Sequence, residues 1–146
     1  MAALLDVNAL IALVDSDHVS HLPMQRWFMS QHQRGWATSP ITENGLIRVL
    51  SQPSYPSGQR LAAEAVQILV DLKSAFPESY EFWTDDISLA DESRFYKEMI
   101  AGHRQVTDVY LLGQAAARAG TLVSFDRSLA WQAVQGGSEQ LIQRPE

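Results

Sequence analysis

Short apolar runs ending at an acid or a helix-capping residue recur along this chain, and each is followed by a helical pattern. Ala3-Leu4-Leu5-Asp6-Val7 is the first, with Asn8 placed to cap a helix through Ala9 to Val14. Trp36-Ala37-Thr38 is the second, followed by Ser39 as a cap and Pro40 at the first helical position, ahead of Ile41 to Leu50. Tyr80 to Trp83 reads as a third strand leading to Asp85-Asp86, and Thr121 to Phe125 as a fourth, running into Asp126. Strands that alternate with helices need crossover connections. That requirement predicts an α/β three-layer sandwich, with a mostly parallel sheet of four to five strands flanked by helices.

The intervening segments fill in this frame. Pro23, Met24, Trp27 and Phe28 supply a helix that runs up to Gly35, and Ser51 to Gly58 is a loop. Leu61, Ala65, Ile68, Leu69, Leu72 and Phe76 recur at helical spacing, predicting a helix over Gln59 to Ser74 that stops at Pro77. A further helix is expected around Asp91 to Ile100. Another, capped by Thr107 and ended by Gly120, carries Val109, Leu112 and Ala116. Leu129 to Val134 is a short apolar piece, and Leu141-Ile142 suits an edge strand. A length of 146 residues is consistent with one domain spanning 1–146.

Composition narrows the chemistry. The chain contains no cysteine, which excludes disulfide scaffolds, thiolate metal sites and cysteine nucleophiles. A formal net charge of −6 excludes a broad basic surface for nucleic acid, so any contact with RNA or DNA must be local or mediated by a metal. Ala2 to Val14, the most apolar stretch, is broken by Asp6 and Asn8 and reads neither as a signal peptide nor as a membrane span. A cytoplasmic protein is expected. No G-x-G-x-x-G, Walker loop or G-x-S-x-G elbow occurs.

In open parallel sheets the active crevice lies beyond the carboxyl ends of the strands. Asp6, Glu43, Asp108 and Asp126 all fall at that edge. A single aspartate there is ordinarily a helix cap. Four carboxylates with no neighbouring run of Lys or Arg would repel one another unless a cation joined them, and an all-oxygen set suits Mg²⁺ or Mn²⁺. Such an ion would acidify a water molecule and stabilise charge developing on a phosphoryl oxygen.

Leu4-Leu5-Asp6-Val7-Asn8-Ala9-Leu10-Ile11, Ile41-Thr42-Glu43-Asn44-Gly45, Gly102 to Asp108 and Ser124-Phe125-Asp126-Arg127 together resemble the four acidic motifs of PIN-domain ribonucleases, in particular the VapC toxins of bacterial toxin-antitoxin pairs. The resemblance covers essentially the whole chain, in order and spacing. It implies a metal-dependent endoribonuclease in which Asp6, Glu43, Asp108 and Asp126 are catalytic. Asp6, Asp108 and Asp126 would hold the metal, and Asn8 and Thr107 would orient the acids. It also implies a homodimer and a small VapB-like antitoxin. Many relatives carry a further acid shortly after the last motif, whereas Ser128 stands here.

His103, Arg104 and Arg127 are candidate RNA contacts, although an ordinary surface loop explains His103 and Arg104 almost as well. His18 and His21 read as a solvated pair, the four tryptophans as core, and Asp85-Asp86 as a surface or capping pair. Two other readings compete. An aspartyl-phosphate phosphatase or receiver domain also opens with a strand and an acid, but the usual second acid is replaced by Asn8, and neither Lys73 nor Lys97 follows a strand. A non-catalytic module that keeps the fold for protein contacts is the other.

Overall fold

The structure is a computed structural model and describes all 146 residues, Met1–Glu146. Five short strands form one parallel sheet: β1 (Ala3–Leu5), β2 (Trp36–Thr38), β3 (Tyr80–Phe82), β4 (Thr121–Val123) and β5 (Ile142–Gln143), in the order β3-β2-β1-β4-β5. Five helices join them: α1 (Val7–Val14), α2 (His21–Gln31), α3 (Pro40–Leu50), α4 (Ala62–Ala75) and α5 (Val106–Ala117).

β1 to β3 build the sheet outward in one direction, and the chain then returns to place β4 on the other side of β1. Because parallel crossovers are right-handed, this reversal puts α1 to α4 on one face and α5 on the other. The core divides accordingly. Leu5, Trp36 and Val123 pack with Leu10, Met24, Phe28, Leu46 and Leu69, whereas Leu4, Ala37 and Leu122 pack with Val109, Leu112 and Trp83. Alternate residues of each inner strand therefore serve opposite faces, and β1, β2 and the last two residues of β4 are wholly buried.

Close backbone approaches set the helix positions. A Cβ on Gly45 would stand 2.4 Å from Cγ2 of Val7, so glycine lets the middle of α3 press against the start of α1. A Cβ on Gly120 would stand 2.3 Å from the carbonyl oxygen of Ala2. Gly120 is thus required by packing on β1, and the left-handed turn after α5 falls on Ala119, with φ 52°.

Several local expectations are corrected. Asp6, not Asn8, caps α1, accepting from the amide of Val7 at 2.8 Å, because Asn8 bonds across to β4 instead. Thr107 does not cap α5. The helix begins one residue earlier, after a tight turn over His103–Gln105, with Gln105 as its flanking residue. The helix expected over Asp91 to Ile100 is absent, leaving only a turn at Lys97–Met99. Tertiary pairing overrides its helical pattern: Phe95 bridges Val134, the amide of Tyr96 donates to Ala133, and Arg94 accepts from Gln135. The Phe95 ring lies so close to α5 that a Cβ on Gly113 would be 2.2 Å away. Trp36 and Trp83 are core, but Trp27 and Trp131 are only half-buried. His18 accepts from the amide of Ser20, and His21 bonds the carbonyl of Ala12, so the pair serves local structure instead of standing free in solvent. No helix is long and apolar enough to cross a membrane.

Candidate metal centre

All five strands point the same way, so their carboxyl ends share one edge, and the reversal of strand order lies between β1 and β4. That junction is where an open parallel sheet forms its crevice. Asp6 leaves β1 at this point and Asp126 follows β4. Asp108 joins them from the first turn of α5.

Ser124 ties these parts together. Its hydroxyl donates to Oδ2 of Asp6 at 2.8 Å and accepts from Nδ2 of Asn8 at 3.0 Å and from the amide of Asp126 at 3.1 Å. Oδ1 of Asn8 in turn accepts from the amide of Phe125 at 3.1 Å. Asn8 is thus linked to Asp6 only through Ser124 and bonds none of the acids directly. Thr107 is exposed and makes no hydrogen bond to any of them. Ser128 donates both its amide and its hydroxyl to Oδ1 of Asp126 at 2.8 Å.

The three aspartates feel one another. Burial raises the pKa of Asp6 above its ordinary value, with hydrogen bonds from Ser124 and Val7 acting in opposition and the charge of Asp126 adding to the rise. Asp108 is pushed up to about 7, first by burial and then by the charges of Asp6 and Asp126. Asp126 is lowered, chiefly by the Ser128 amide, with a contribution from Arg144. Sequence reasoning missed Ser124, Ser128 and Arg144 as parts of this site. Ser124 lies inside the last acidic motif, but its bond to Asp6 spans 118 positions and has no local signature.

Glu43 corrects the expectation of four unneutralised acids. Its Oε2 lies 2.5 Å from Nζ of Lys73 on α4 and accepts from Thr38 at 2.6 Å. The Tyr80 hydroxyl stands 2.6 Å from Oγ1 of Thr38 and 3.3 Å from the same Glu43 oxygen. Burial alone would lower the Lys73 pKa, but its bonds to Glu43 and Tyr80 hold it above the ordinary value. The cation sits thirty residues along the chain from Glu43, too far for any local sequence pattern to reveal the pairing.

Three crowded carboxylates with all-oxygen donors fit a hard divalent cation, and positive charge there would relieve the repulsion that raises Asp108. No three acidic or histidine side chains are already gathered around a common ligand position. His103, Arg104 and Arg127 are exposed, the first two on the turn leading into α5. Asp85 is occupied structurally, accepting from Gln114 at 2.7 Å, and Asp86 lies 3.8 Å from Arg118.

The PIN domain family pattern matches residues 3–134. The chain is 43% identical over 140 residues to Ribonuclease VapC44 of Mycobacterium tuberculosis, covering 96% of each protein. It is 42% identical over 141 residues to Ribonuclease VapC39 of the same organism, covering 97% of this chain and 100% of that one. The fold matches VapBC2 from Rickettsia felis, crystallised with a DNA fragment from its promoter, with a TM-score of 0.63 at 14% identity and full coverage of both chains. Matched along nearly its whole length in sequence and in fold, the chain belongs to the PIN-domain family and, within it, to the VapC ribonucleases.

Proposed function

We propose that this chain is an endoribonuclease and the toxin of a toxin-antitoxin pair, acting in the cytoplasm as one nuclease unit over residues 1–146. The observation that supports this reading most directly is the placement of Asp6, Asp108 and Asp126 at the β1/β4 junction, in a chain 43% identical to a VapC ribonuclease.

In this reading Asp6, Asp108 and Asp126 hold Mg²⁺ or Mn²⁺, and Glu43 completes the catalytic set. The bound ion supplies a Lewis acid that lowers the pKa of a water molecule and offsets charge on a phosphoryl oxygen. Water adds to the phosphorus of an RNA phosphodiester and one P–O ester bond breaks. The departing oxygen takes a proton, and one proton of the water is released. Ser124 and Asn8 keep Asp6 in one orientation, and Ser128 does the same for Asp126. His103, Arg104 and Arg127, all exposed, contact the phosphate backbone flanking the cut. The partners are a second copy of the chain and a small VapB-like antitoxin whose basic side chain enters the acidic crevice.

The test is cleavage of total RNA by the purified chain, with Mg²⁺ or Mn²⁺ and with chelator. Metal-dependent cleavage that is lost in Asp6→Asn is expected. Cleavage by Asp6→Asn at the wild-type rate, or cleavage unaffected by chelator, overturns the assignment.

A further inference from the structure

The ion pair of Glu43 is built more thoroughly than a surface salt bridge. Lys73 lies in the last turn of α4, where the helix dipole favours a cation. Its Nζ stands 5.2 Å from the ring centroids of both Tyr80 and Phe82, so two aromatic faces hold the ammonium in place. The Lys73 and Glu43 side chains are only 30% and 15% exposed, and Thr38 is wholly buried. Groups from β2, β3 and α4 all converge on Oε2, and no protein donor reaches Oε1.

Gly45, in the second turn of α3, closely approaches Val7 at the start of α1, the residue next to Asp6. Glu43, two residues before Gly45, follows the carboxyl end of β2, the strand beside β1, and its charge is already balanced by Lys73. A divalent cation relieves repulsion among Asp6, Asp108 and Asp126. Drawing in Glu43 as well would strip a partly buried Lys73 of its counter-ion, which carries a penalty.

We propose that Lys73, assisted by Thr38 and Tyr80, is a positioning residue that commits one oxygen of Glu43 and keeps this fourth acid out of the divalent-cation site of Asp6, Asp108 and Asp126. The proposal rests on the nuclease reading given above. Under it, the metal centre is a three-aspartate centre, and Glu43 acts beside it with Oε1 as its working oxygen. With its ammonium held by Glu43 and two rings, Lys73 is not a phosphate anchor.

A double-mutant cycle on the full chain tests this, with Mn²⁺ alone as the calorimetric probe, using the wild type, Lys73→Met, Glu43→Gln and the double variant. Releasing Glu43 should let it join the ion, so Lys73→Met is expected to bind Mn²⁺ about tenfold more tightly in the Glu43 background and to have no effect in the Glu43→Gln background. Lys73→Arg should behave as the wild type does. An equal gain in both backgrounds would mean plain charge repulsion, and no gain would mean an inert ion pair; either overturns the proposal. In RNA cleavage, Lys73→Met should lower kcat about tenfold or more with KM unchanged, whereas a raised KM would identify a phosphate contact and overturn it. If Lys73→Met gives no cooperative melt, Tyr80→Phe replaces it in the cycle, with a gain of about twofold that vanishes in Glu43→Gln supporting the proposal and unchanged affinity overturning it. Failure of the wild type to cleave RNA overturns the nuclease reading, and the binding cycle still decides the role of Lys73.

Discussion

The hydroxyl of Ser124 donates to Oδ2 of Asp6 at 2.8 Å, joining the residue after β4 to the residue after β1 at the junction where the strand order reverses. Both residues are buried, and the Asp6 carboxylate otherwise accepts only from the amide of Val7. Ser124→Ala removes this donor and also the acceptor for Asn8 and for the amide of Asp126. Leaving buried polar groups unpaired costs about 1–3 kcal/mol, so a fall of that size is expected in urea denaturation, together with weaker RNA cleavage. A loss below about 0.5 kcal/mol would show that the hydroxyl is not a structural tie.

Asp108 is held in an electrostatically unfavourable place, and neutralising it should relieve the protein. In chelator, Asp108→Asn is expected to match or exceed the wild type in melting midpoint. A ligand selective for the folded state adds about 2.7 kcal/mol at a hundredfold excess over its Kd, so Mg²⁺ or Mn²⁺ should raise the wild-type midpoint and move the variant much less. Four melting curves give the comparison. A variant much less stable than wild type in chelator would make Asp108 a structural cap.

The same carboxyl sets a pH dependence. Its folded pKa of about 7 lies above its ordinary value of 3.8. Between those values the folded chain holds a proton that the unfolded chain has released, so stability falls as pH rises from about 4 to 7 and is level above that. Metal-free wild type should therefore lose stability across this window, and Asp108→Asn should lose less. Denaturation at stepped pH in chelator measures the difference, and parallel profiles for the two proteins would refute the placement of Asp108 among charges.

Tyr55 donates a hydrogen bond to Oδ2 of the buried Asp15 and anchors the loop between α3 and α4. Burial pushes the Tyr55 pKa up to about 12, with Asp15 adding to the rise. Burial by itself would raise Asp15, but bonds from Ser57 and Tyr55 hold it below its ordinary value. Asp15 therefore contributes stability above its unfolded pKa that is lost as pH falls through its folded pKa. Tyr55→Phe should cost about 1–3 kcal/mol near neutrality and shrink that acid limb, while metal-dependent cleavage stays unchanged. Unaltered acid unfolding would show that the pair carries no such linkage.

What the amino-acid sequence determined by itself was the set of features written in local patterns. Three-residue apolar runs and their caps announced β1 to β4. Ser39-Pro40 marked the start of α3, where Ser39 and Thr42 form the cap, and the alternation of strands with helices dictated a parallel sheet with its acids at one edge. Local chemistry failed where partners were distant. The segment from Asp91 to Ile100 has a helical pattern, yet Phe95 and Tyr96 find their hydrogen bonds and packing against Val134, Ala133 and Gly113, and long-range pairing outweighed propensity. The acids divided for the same reason. Asp6, Asp108 and Asp126 share the β1/β4 junction and oppose one another, whereas Glu43 meets Lys73 only because α4 packs beside β3 and α3. Which carboxylates repel and which is paired depends on distances between elements far apart in the chain, and folding alone sets those distances.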